Sequence, residues 1–84
     1  MDIQDEKRAI DNALAEFTED CRAKLYQKAE SGYRGWEDQR NKFDIAKDLL
    51  EDALDVYQHK NMYHLNDIAN RAMFLWWQHW RLGL

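Results

Sequence analysis

The chain has 84 residues, enough for one domain with a core of its own and no metal or disulfide staple. Its net charge of −4 and pI near 5.2 provide no global basic field for a phosphate backbone, so nucleic acid is not an expected partner. The single cysteine, Cys21, rules out an internal disulfide. It fits a reducing compartment. The charged N-terminal stretch lacks an apolar signal segment, and the longest apolar run, AMFLWW, is far too short to span a bilayer. These features predict a soluble cytoplasmic protein with no membrane partner.

There is no proline, and there are only three glycines, so long uninterrupted helices are expected. Placing residues at 100° steps separates three of them. The first runs from about Asp5 to Ser31, with Ile10, Ala13, Leu14, Phe17, Cys21 and Leu25 on one face. Asp2 or Asp5 is placed to cap its start, and Gly32 to end it in a left-handed conformation. The second runs from about Gln39 to Lys60, with Asp38 as the N-cap and Asn61 as the turn residue beyond it. Ile45, Ala46, Leu49, Leu50, Ala53, Leu54, Val56 and Tyr57 cover its apolar half, and Asp44, Asp48, Glu51 and Asp55 form a narrow stripe opposite.

The third helix runs from about Tyr63 to Leu82. Leu65, Ile68, Ala69, Ala72, Leu75, Trp76 and His79 make a regular apolar stripe, which Met73, Trp77 and Trp80 widen while Phe74 lies almost opposite. Three helices with short connections imply a single all-α domain, a compact three-helix bundle. Between the first two, Gly32, Gly35, Trp36 and Asp38 of SGYRGWEDQ read as a structural corner, with Trp36 folded back to plug the end of the bundle.

Carboxylates at i, i+4, i+7 and i+11 on the second helix have the spacing to share a hard divalent cation. All-α nucleotide pyrophosphatases of the MazG type use acids on neighbouring helices in that way. On that resemblance Asp48 and Glu51 would supply one pair, and Asp67 with Asn70 the other. Asn70 departs from the all-acid pattern, and the stripe points away from the apolar face. A solvated face is therefore the expected role of these acids. His59, His64 and His79 with Cys21 show no zinc spacing, so no metal or cofactor is expected. Cys21 reads as a small core hydrophobe, and His64 with Asp67 as a local pair near a helix start. Arg34, Arg40 and Lys42 cluster with Tyr33 and Trp36, an arrangement that can contact a phosphate or stack a base and keeps a nucleic-acid-binding module as an alternative, but the arginines are expected to answer Glu37 and Asp38.

The strongest anomaly is the aromatic end, where Trp76, Trp77 and Trp80 fall within five residues. Trp, Met and Arg are enriched where proteins meet. Met73, Phe74, Trp77 and Trp80 are therefore the expected apolar anchors for a protein partner or for a homodimer, with Asp44, Asp48, Glu51 and Asp55 steering a basic partner.

KLYQKAESGYRGWEDQ, followed by DIANRAMFLWWQ, resembles a group of small phage and prophage proteins. Their pattern joins a glycine-containing turn with Gly-Trp-acid-acid (Gly35, Trp36, Glu37 and Asp38) to a later helix with Asp67, Ala69 and Asn70. The resemblance implies a viral accessory protein in the host bacterial cytoplasm that binds or blocks a host factor such as a defence system. It carries over no catalytic residues.

Overall fold

The computed structural model describes residues 2–32, 35–38, 40 and 42–83. It is an all-α bundle of three helices: α1 (Ile3–Glu30), α2 (Lys42–His59) and α3 (Leu65–Leu82), with a 3₁₀ turn at Met62–His64 ahead of α3. Among the described residues no helix is long and apolar enough to cross a membrane.

The helix ends follow from local hydrogen bonding. Asp2 caps α1, its carboxylate accepting from the Asp5 amide at 2.9 Å, with Asp5 and Glu6 in the first turn facing the positive helix end. At the other end the Ser31 hydroxyl donates to the Gln27 carbonyl at 2.9 Å, and Gly32 turns the chain away with φ of 96°. α2 begins at Lys42 rather than near Gln39, which lies outside the described residues with Tyr33, Arg34 and Asn41. Asp38 does not cap α2. Its carboxylate instead accepts from the Arg40 amide and side chain at 3.0 Å, which holds its pKa down at about 2. After α2 the left-handed residue is Lys60, with φ of 58°. Asn61, expected there, caps the 3₁₀ turn instead, accepting from the Tyr63 amide and donating to Asp55 at 2.8 Å. This two-residue link lays the end of α2 against the start of α3.

Trp36 does plug the bundle. Its ring stacks on Phe74 at 4.9 Å between centroids and meets Trp77 edge-on at 5.2 Å, while its carbonyl accepts from the Gln78 side chain at 2.7 Å. Gly35 (φ 90°) makes the turn that delivers it, with the Asp38 amide donating back to the Gly35 carbonyl at 3.0 Å.

The interior is unusual. Among the described residues only Cys21, Asn70 and Gln78 are buried. The inward row of α3 is Asn70, Phe74 and Gln78, because its two amides have backbone carbonyls to reach: Asn70 donates to the Cys21 carbonyl at 3.3 Å, as Gln78 does to that of Trp36. The regular apolar stripe of α3 is not its core face. Leu65, Ala72, Trp76 and His79 on it are exposed, and only Ile68, Ala69 and Leu75 are half-buried. Asn70→Ala removes one of the bonds that tie α3 to α1 and leaves a gap. It is expected to cost about 1–2 kcal/mol and to lower the melting temperature measured by circular dichroism.

Candidate cation and ligand site

The contact between the end of α2 and the start of α3 gathers four titratable side chains. Asp52 and Asp55 are one turn apart on α2. His64 and Asp67 are one turn apart across the start of α3. His64 Nε2 lies 3.0 Å from Asp55 Oδ2. Its Nδ1 lies 3.7 Å from both Asp52 Oδ1 and Asp67 Oδ2. Asp55 also meets His59 Nδ1 at 2.7 Å, and the His59 and Asn61 hydrogen bonds together hold its carboxyl below the ordinary range.

Each of the two half-buried carboxylates has one oxygen occupied by a cation and the other turned to His64. Asp67 Oδ1 receives Lys24 at 3.0 Å and Lys28 at 3.1 Å, both from α1. Asp52 Oδ2 receives Arg71 from α3. Burial raises the Asp67 pKa, but the two lysines outweigh it and leave it lowered. Ionised Asp67 therefore stabilises the fold above its unfolded pKa of about 4, and that contribution is lost as pH falls through the lower native value.

The remaining donors, Asp52 Oδ1, Asp67 Oδ2 and a His64 nitrogen, all lie within 4.8 Å of one another. The 3.7 Å separations are too long for hydrogen bonds. They exceed by about 0.4 Å the spacing of tetrahedral ligands that each stand about 2 Å from one shared cation, so a small inward shift of the carboxylates would bring them to it. One imidazole with two carboxylates suits Mn²⁺ or Zn²⁺ better than Mg²⁺, which prefers oxygen alone.

A groove of about 700 Å³ adjoins this cluster, within the usual range for small-molecule sites. Tyr26 of α1, Trp36 of the corner, and Met73 and Phe74 of α3 form its apolar walls. Its charged lining is mixed: Lys28 and Arg71, the partners of Asp67 and Asp52, stand with the carboxylates Glu37, Asp44 and Asp48, and the two cations are shared between the groove and the triad.

The residues expected from the sequence divide. Of the four acids on the α2 stripe, Asp44, Asp48 and Glu51 are exposed, and only Asp55 joins the cluster. The MazG-type arrangement of Asp48 and Glu51 with Asp67 and Asn70 does not form. Asp52 takes the place given to Glu51, and the Asn70 amide is engaged by α1. Phe74 and Trp77 spend their ring faces on Trp36, Met73 lines the groove, and Trp80 stands 66% exposed. Sequence reasoning passed over Asp52, the contact of His64 with it, and Arg71. The signal was the matched spacing of Asp52 with Asp55 and His64 with Asp67 on either side of a short link.

Comparison with protein-family models, with curated proteins and with solved structures finds no match to this chain.

Proposed function

We propose that the protein is a divalent-cation-dependent hydrolase acting on a nucleoside polyphosphate. The observation that carries this reading is the triad of Asp52, His64 and Asp67 beside an aromatic groove whose cations flank it. A base packs against the Tyr26 and Met73 walls of the groove, while Lys28 and Arg71, each shared with a carboxylate of the triad, face its phosphates. Asp52, His64 and Asp67 would hold the divalent cation, and when bound it would supply Lewis-acid chemistry for phosphate transfer to water. In that reaction the water oxygen bonds to the α-phosphorus and the bridging bond to the β-phosphate breaks. The products are a nucleoside monophosphate and pyrophosphate.

The test is pyrophosphate release from the four ribo- and four deoxyribonucleoside triphosphates with Mn²⁺ or Mg²⁺. Turnover that vanishes on chelation and in Asp52→Asn supports the reading. Absence of release from all eight with either metal rejects it.

A second reading, a phage-type accessory protein that binds a host factor, is favoured by the outer face of α2. Phe43 and Tyr57 there are 78% and 77% exposed, and Leu50 lies between them with Glu51 at its edge, whereas Asp44 and Asp48 line the groove. That face fits a basic partner with an apolar patch. Capture of one host protein by the native chain and not by Tyr57→Asp supports it.

A further inference from the structure

The N-terminal two-thirds of α1 has no cover. Every described residue from Asp2 to Asp20 is exposed, including a seam of Ile3, Ile10, Leu14 and Phe17 spaced by three, four or seven residues. Beside Cys21 a groove of about 450 Å³ opens between α1 and α3, with Phe17, Leu25, Ala69 and Met73 in its walls. On α3 the outward row is equally bare, with Trp76 59% and Trp80 66% exposed.

The whole chain shows the same excess. Its accessible surface is 6840 Å², whereas a folded monomer of 10.2 kDa exposes about 5300 Å². The Cα radius of gyration is 14.9 Å, against about 12 Å for a domain of this length. Covering the surplus on two chains buries about 3000 Å², the size of an obligate homodimer interface.

Charge indicates how two copies fit. The first twenty residues carry seven acids against Lys7 and Arg8, so two α1 arms repel each other. From Ile68 onward there is no acid; Arg71 is held by Asp52, so Arg81 is the fixed charge that this end of α3 offers a partner. An acidic arm is complementary to this end of α3.

We propose that the protein is a reciprocal homodimer in which the α1 arm of each copy lies along the outward Trp76–Trp80 face of the other. One two-fold axis makes both contacts identical and buries both apolar seams. Arm and face are distinct surfaces, so two variants that each break the contact complement one another when mixed. In a mixture of Leu14→Glu and Trp76→Lys, one contact is native and the other pairs Glu with Lys.

The experiment is light scattering on the native chain, on each variant and on their equimolar mixture, at micromolar concentration. Both substituted positions are exposed, and Glu and Lys are good helix formers, so helicity by circular dichroism is retained. The expected masses are twice 10.2 kDa for the native chain, 10.2 kDa for each variant, and recovery of the dimer on mixing. A monomeric native chain overturns the proposal. So does a mixture that stays monomeric, or a native chain that dimerises only with a different protein.

Discussion

Asp52→Asn and Asp67→Asn are each expected to abolish the stabilisation that Mn²⁺ confers on the native chain. A cation that binds only the folded state stabilises it by about 2.7 kcal/mol at a hundredfold excess over its Kd. In a domain of this size that raises the melting temperature by about 10 °C or more. Each substitution replaces one of the two carboxylate oxygens facing His64 by a neutral group. Each also breaks a structural ion pair, Asp52 with Arg71 and Asp67 with Lys24 and Lys28, so the baseline melting temperature falls as well. The quantity that decides is the increment on adding Mn²⁺. Glu51→Gln, on the exposed face of α2, serves as the control and keeps the full increment.

The second large effect is expected at Trp36. Its ring bridges Phe74 and Trp77, its carbonyl accepts from the buried Gln78 Nε2, and its position closes one wall of the groove. Trp36→Ala removes the stacking and leaves a void among half-buried rings. The cost is about 3 kcal/mol, a large share of the stability of so small a domain. Trp36→Phe keeps a ring against Phe74 and restores most of it. Chemical denaturation followed by circular dichroism measures both. If Trp36→Ala unfolds at the native midpoint, the ring is not a packing element and the wall of the groove has been misassigned.

How far the sequence carries the fold can be seen at particular residues. Asp2 and Gly32 declare the two ends of α1 because caps act through their own backbone and the next turn. Trp36 as a plug was legible from an aromatic held between a positive-φ glycine and a helix start. The start of α2 was not, because Asp38 has two competing uses and its carboxylate goes to the amide and guanidinium of Arg40, ahead of the helix. Periodicity located the apolar stripe of α3 but assigned it to the core, and Asn70 and Gln78 face inward in its place. An apolar row states that something covers it. Whether that is the same chain or another lies outside any single-helix pattern.

The candidate site failed to show in the sequence for a related reason. The acids of α2 form a stripe at 100° steps, and Asp52 lies beside that stripe rather than on it. Which flank of α2 meets α3 depends on the rotation of one helix against the other. That is set by the two-residue link at Lys60 and Asn61 and by the Asn61 bond to Asp55. His64 and Asp67 were visible as a local pair, and the third donor needed the register between helices.

Electron paramagnetic resonance of Mn²⁺ titrated into the native chain, with Asp52→Asn and Asp67→Asn alongside, tests the central claim most directly. One bound Mn²⁺ per chain in the native protein, and free aqueous Mn²⁺ in both variants, is the predicted result. A native spectrum identical to free Mn²⁺, or equal binding in all three proteins, contradicts a cation site at Asp52, His64 and Asp67.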